Sequence, residues 1–210
     1  MKFGKVIDIS RKIHKDIPVW PGDEKVKLQK GMSIKNGDIC NLSSINMSVH
    51  TGTHTDAPRH FIDEGMDIAS LDLASFIGYA KVFELDVKEC ITKESIEKLP
   101  IDSGDIVLFK TSNSLLSEDV FHEKFIYIDI SAASYLVEKK IKTVGVDYLS
   151  VDCFKSFDYP VHKLLLSSNI GIIEGLNLRH VKEGSYLLCS LPLKIDNADG
   201  SPVRAVLIEI

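Results

Sequence analysis

Between Val49 and Phe61 the chain reads VHTGTHTDAPRHF, and these thirteen positions hold three of its seven histidines, with an aspartate between the last two. His50, His54 and Asp56 offer two imidazoles and a carboxylate. That set suits zinc, manganese or iron and leaves coordination positions open for water. An aspartate has two oxygens, so Asp56 can serve two ions at once. A water held by such an ion ionises near pH ~7, and the ion also polarises a carbonyl, which is the chemistry of hydrolysis. His60, four residues beyond Asp56, is either a further ligand or a proton carrier with an ordinary pKa near ~6.5.

A helix cannot easily present these groups. Thr51, Thr53 and Thr55 are β-branched, Gly52 is a poor helix residue, and Pro58 drives Ala57 out of the helical region. In SINMSV, Ile45, Met47 and Val49 share one strand face. If the extended conformation persists, His50, Gly52, His54 and Asp56 continue the other face. Gly52 is then expected to curl the chain and to leave room for an ion.

A second patch, DYPVHKLLLSSNIGIIEGL, holds His162 and Glu174. A carboxylate among Ile172, Ile173 and Leu176 is costly to bury unless it has a partner, and a cation would offset that cost. Taken alone, the residues read His162 as a helix-surface side chain and leave Glu174 between an exposed edge and a buried ligand. His14, His122 and His180 lie among charged neighbours and read as solvated. Trp20, the only tryptophan, precedes Pro21-Gly22, a type II turn signal. It reads either as core or as a surface on which an aryl substrate could stack.

The elements that must position these groups are strands intermixed with helices. Strands are expected at 5–10, 42–49, 80–87, 105–111, 143–147, 185–193 and 204–210. Helices are expected over 92–99 with Thr92 as N-cap, over 131–140 with Ser131 as N-cap, and over 160–169 with Pro160 in the first turn. No repeat, linker or low-complexity tract interrupts the 210 residues, so one α/β domain spanning 1–210 is expected. A net charge of -5 argues against nucleic acid as a partner. No apolar run reaches a membrane span and the N-terminal stretch lacks a signal-like apolar core. The four cysteines are scattered without a CxxC and read as reduced core or strand residues, so a cytoplasmic protein is expected.

HTGTHTDAPRHF resembles the HxGTHxDxPxHF signature of the cyclase-like metal-dependent hydrolases, the family that includes bacterial kynurenine formamidase. IDISRKIHKDIPVWPGD, GVDYLSVD, HKLLL, GIIEGLNL and LPLKIDNADGSPVRAVLIE resemble its other blocks in the same order, so the likeness spans essentially the whole chain. The resemblance implies a swivelling β/β/α fold, a barrel-like mixed sheet with helices outside, assembled as a homodimer or homotetramer. It assigns His50, His54 and Asp56 to one metal, with Asp56 reaching a second. His162 becomes a ligand of the second metal and Glu174 a ligand of both. His60 becomes the proton donor and acceptor, and Trp20 a substrate contact. The implied cofactor is zinc, two ions per chain, with manganese as the alternative. The implied activity is hydrolysis of a small amide, foremost N-formyl-L-kynurenine to L-kynurenine and formate. A cyclic-amide hydrolase resembling isatin hydrolase is the alternative. A metal-containing binding protein without catalysis is disfavoured, because every ligand position and His60 are present.

Overall fold

The computed structural model describes residues 4–210. The chain runs through β1 (Val6–Asp8), a ribbon of β2 (Lys27–Met32) and β3 (Leu42–Asn46), then β4 (His54–Asp56) and β5 (Ile77–Glu84). A short pair, β6 (Cys90–Ile91) and β8 (Tyr127–Ile128), flanks β7 (Ile106–Lys110) in sequence. The remaining strands are β9 (Thr143–Val146), β10 (Gly171–Glu174), β11 (Gly184–Cys189), β12 (Gly200–Pro202) and β13 (Val206–Glu209). The α-helices are α1 (Lys93–Ile96), α2 (Ile130–Lys139) and α3 (Pro160–Ser167).

Nine strands form one mixed sheet in the order β1-β13-β11-β5-β7-β9-β10-β4-β12. Its middle, from β5 to β10, is parallel, and both flanks are antiparallel. The parallel strands read IVLFK and TVGV because they are covered on both faces, which removes the need for alternation. Val107, Phe109, Val144 and Ile172 meet Leu136 and Leu165 of the helices on one side. Ile106, Leu108, Ile173 and Leu188 meet Ile9 and Phe76 on the other. With β1 and β12 as its edges the sheet is a half-barrel, the mixed α/β arrangement of the expected swivelling fold. Among the described residues, no helix is long and apolar enough to cross a membrane.

Several local expectations are corrected. The strand expected at 42–49 ends at Asn46 and pairs only with β2, so His50 lies in a turn and shares no strand face with His54. Gly52 does curl the chain, at φ 72°, but a Cβ there would meet Ile13 and Ile17 at 3.4 and 3.5 Å. Its role is backbone conformation, not room for an ion. The cap of α2 is Asp129, whose Oδ1 accepts from the Ser131 N–H at 2.8 Å; Ser131 is already inside the helix. The helix expected over 92–99 is one turn, α1, whose Thr92 N–H donates to Ser95 Oγ at 3.1 Å. Cys40 is exposed and not core, and His122 is half-buried and not solvated. The turn after Trp20 is as expected: Asp23 N–H donates to Trp20 O at 2.9 Å and Gly22 has φ 107°.

Candidate metal centre

Three elements converge on one buried pocket. β4 pairs antiparallel with β10 so that His54 lies opposite Glu174 and Asp56 opposite Ile172. The intervening Thr55 turns to the other face, where its hydroxyl donates to Ile172 O at 2.5 Å. Thr53 is pinned likewise, donating to Gly175 O at 2.6 Å. Gly175 has φ 67°, and a Cβ on it would strike the Gly52 carbonyl. The two strand ends therefore close on each other only because both positions are glycine. Extended Ala57, held by Pro58, leads into a single 3-10 turn over Pro58–His60, which returns His60 to the same pocket. His162 lies on the inward face of α3 with Leu165 and Leu166, buried, and not on the helix surface.

These side chains form two groups. In one, His50 Nδ1 lies 3.0 Å and His54 Nε2 3.6 Å from Asp56 Oδ1. In the other, His162 Nε2 lies 3.5 Å from Asp56 Oδ2 and 3.1 Å from Glu174 Oε1. Glu174 Oε2 reaches back to within 3.2 Å of His54 Nε2, so each carboxylate turns one oxygen to each group. Both sets, His50/His54/Asp56 and Asp56/His162/Glu174, have donor atoms within 4.8 Å of one another. Asp56 Oδ2 is buried and accepts no hydrogen bond. A bare carboxylate oxygen there is costly, and a cation between Asp56, His162 and Glu174 would satisfy it. Imidazole and carboxylate donors fit a borderline divalent ion.

Charge is concentrated here. Burial opposes a proton on His50, but the Asp199 and Asp56 carboxylates prevail and raise its pKa to about 10. Burial likewise works against His162, and the facing Glu174, with Asp152 and Asp56, pushes it well above the ordinary value. Asp56 is held well below the usual carboxylate range by His162 and His50 in spite of its burial. His60 differs. Burial lowers its pKa, and the attraction of Asp56 only partly offsets this. Its ring stacks on His50 at 4.0 Å between centroids, and its Nδ1 lies 3.3 Å from Asp199 Oδ2.

The pocket opens into a cavity of about 250 Å³ lined by Trp20, Phe61, Leu149, Tyr159 and His60 above the buried carboxylates. Trp20 is held edge-on by Phe121 and Phe154, each at 5.5 Å between centroids. It is therefore both packed and pocket-lining, and neither sequence alternative for it excludes the other. Tyr159, the N-cap of α3, sits at φ 47°, a rare conformation for an aromatic residue, with its ring 5.2 Å from Phe61.

A family model described as "Putative cyclase" matches residues 7–153, most of the chain and the whole histidine segment. The chain belongs to this family. It is 36% identical over 207 residues to a kynurenine formamidase of Bacillus thuringiensis (strain Al Hakam), covering 99% of both chains. It is 39% identical over 201 residues to the kynurenine formamidase of Geobacillus thermodenitrificans, covering 96% of both. A solved structure described as a potential metal-dependent hydrolase with cyclase activity superposes with a TM-score of 0.87 at 39% identity, covering 98% of each chain. Isatin hydrolase A from Labrenzia aggregata shares the fold, with a TM-score of 0.85 at 24% identity over 97% of this chain and 93% of its own.

Two carboxylates of the site went unread in the sequence. Asp152 Oδ2 accepts from His162 Nδ1 at 2.7 Å and from the His162 backbone N–H at 3.0 Å, while Oδ1 accepts from Val161 N–H at 3.2 Å. It caps α3 and fixes the His162 ring with one group. Asp199 lies 2.8 Å from His50 Nε2 and bridges that ring to His60. Their signals were the aspartates of GVDYLSVD and NADGSP, which carry no spacing relation to the histidines they serve.

Proposed function

We propose that the chain is a metal-dependent arylformamidase that hydrolyses N-formyl-L-kynurenine to L-kynurenine and formate. The observation that carries this reading is Asp56. It stands with one oxygen in each of two imidazole–carboxylate groups, one of those oxygens orphaned, at the floor of an aromatic-walled cavity. Near-full-length identity to kynurenine formamidases supports the substrate. In this reading His50, His54 and Asp56 hold one zinc ion, His162 and Glu174 hold a second, and Asp56 and Glu174 serve both. Manganese is the alternative metal. Ions bound there would supply a water ionised near neutral pH and a polarised formyl carbonyl.

The chain's own groups then do the rest. Trp20, with Phe61 and Tyr159 near it, receives the aryl ring and sets the formyl group over the carboxylates. His60 is neutral near pH 7 because burial lowers its pKa. It accepts the proton released as the water oxygen bonds to the formyl carbon. As the C–N bond breaks, it returns that proton to the aniline nitrogen, a poor leaving group unless protonated. Asp199 Oδ2 lies 3.3 Å from Nδ1, so its charge favours a proton on that side of the ring and leaves Nε2 for the substrate. Four free thiols fit a reducing cytoplasm, and assembly as a homodimer or homotetramer completes the proposal.

The test is formate release from N-formylkynurenine beside a panel of cyclic amides, before and after chelation and metal return. Turnover of the formamide that chelation abolishes and zinc restores is expected. A fully metal-loaded protein that cleaves only cyclic amides would overturn the substrate. Undiminished turnover in metal-stripped protein would overturn the mechanism.

A further inference from the structure

Two of the side chains that line the cavity above the donor sets are acids, Glu174 and Asp23. Glu174 belongs to a donor set and Asp23 to neither. Asp23 follows Trp20 by three residues, and its N–H closes the Pro21-Gly22 turn on Trp20 O at 2.9 Å. Phe121 and Phe154 clamp the indole edge-on, so the turn carries the Trp20 ring and the Asp23 carboxylate as one unit. That carboxylate is half-buried, and among the described residues it neither pairs with a cation nor accepts a hydrogen bond. Other aspartates at turns are occupied by backbone. Asp67 accepts from Ser70 N–H at 3.1 Å, Asp72 from Ala74 N–H at 3.0 Å and Asp129 from Ser131 N–H at 2.8 Å. Asp23 has no such local partner and borders the cavity instead. No lysine or arginine lines that cavity, so its walls offer aromatic faces, imidazoles, the Ser150 hydroxyl and one free carboxylate.

Building on the arylformamidase reading, we propose that Asp23 binds a primary ammonium group of the substrate and so selects aryl formamides that carry one. The indole receives the aryl ring, and a carboxylate fixed on the same turn receives a cation at the end of a side chain on that ring. A hydrogen bond between an ammonium and a carboxylate is charge-assisted and stronger than a neutral one. In a partly enclosed cavity it is also screened less than on an open surface. A ligand without the amine forfeits that bond. A carboxylate on the substrate meets no cation in the lining, so the discrimination is one-sided. The amine is read and the acid is not.

Steady-state kinetics of the full-length, metal-loaded protein on four formamides test this: N-formylkynurenine, its decarboxylated amine, its deaminated acid, and formanilide, which has neither group. In the parent the decarboxylated amine should match N-formylkynurenine in KM, and the deaminated acid should have a KM roughly 10-fold higher or more. Asp23→Asn, nearly isosteric and with the turn N–H kept, should raise KM for the two amines by roughly 10-fold with kcat retained. Asp23→Glu should recover part of that loss. A parent that prefers the deaminated acid, or an Asp23→Asn variant that loses all four substrates alike, would overturn the subsite. Binding separates the subsite from the activity. Trp20 is the only tryptophan, so its fluorescence reports occupancy of the cavity. Kynurenamine should quench it at roughly 10-fold lower concentration than ortho-aminopropiophenone, the same chromophore without the amine, and Asp23→Asn should remove the difference. That result in a protein that cleaves no formamide would overturn the arylformamidase reading and uphold the subsite. Formamide turnover with equal binding of the two ketones would overturn the subsite alone.

Discussion

The two halves of the candidate centre are built differently. His50, His54 and Asp56 come from seven consecutive residues, and the group they form is the more open one, bordered by the half-exposed Asp199. Asp56, His162 and Glu174 come from β4, α3 and β10, and all three are buried. The first half is therefore set by local chain geometry, through Gly52 and Pro58. The second exists only once a helix has docked beside two strands, so it depends on the core. Burying an unpaired ion costs several kcal/mol, and that cost falls mainly on the second half. Its imidazole is accordingly the one whose Nδ1 is tied to a dedicated carboxylate, Asp152.

Changes at Asp56 should give the largest effect, because it belongs to both donor sets and its buried Oδ2 has no other partner. Asp56→Asn should bring metal content below one ion per chain. It should cost more turnover than the roughly 10²- to 10⁴-fold of a lost proton-transfer group. Two ions retained in that variant would break the comparison at its root. His60→Ala comes next. Metal content should stay near that of the parent while formate release falls by roughly 10²- to 10⁴-fold, and less for an activated aryl ester whose leaving group needs no proton. Metal loss as complete as in His54→Ala would make His60 a ligand.

Asp152→Asn sharpens the contrast between the halves. Metal affinity should drop by roughly 10- to 100-fold in the half that contains His162, with the other half unchanged. Titration with cobalt as a spectroscopic probe would resolve the two, and equal weakening of both would count against independent construction.

A smaller effect lies in pH. In metal-free protein His50 keeps its proton up to about pH 10, against about 6.5 in the unfolded chain. The stability this contributes is full below pH ~6.5 and is lost as pH rises through about 10. The melting temperature of metal-free protein should therefore fall between pH 7 and 10. Metal-loaded protein, whose ligand imidazole is neutral, should lack this component. Identical pH profiles for the two forms would contradict the ligand role of His50. The smallest effect is at the cavity wall. Trp20→Ala should raise KM for aryl formamides by about 3- to 10-fold, as the loss of one aromatic contact implies, and leave small aliphatic amides nearly unchanged.

The same difference between the halves explains what could be read in advance. The grouping of His50, His54 and Asp56 was legible because candidate ligands spaced within one turn-rich segment leave a pattern in the sequence. His162 was not legible from its own helix. Its inward face is defined by what α3 packs against, and Val161, Leu164, Leu165 and Leu166 leave little polar contrast around it. Asp152 and Asp199 act on rings 10 and 149 residues away, so no spacing signals them. The α/β alternation was legible in the apolar runs of β7 and β9. The three-residue strand β4 was not, since its length is fixed by pairing with β10 and β12. The cap of α2 was misplaced by two residues because Asp129-Ile130-Ser131 offers two capping side chains, and the earlier one is used.

In the proposed centre two ions share Asp56 and Glu174, and both serve hydrolysis. Stepwise return of zinc to metal-free protein, with bound metal and formate release from N-formylkynurenine measured at each step, tests it most directly. Saturation is expected at two ions per chain, with activity reaching its plateau only as the second is filled. Full activity without metal, or a single ion bound per chain at saturation, would contradict it.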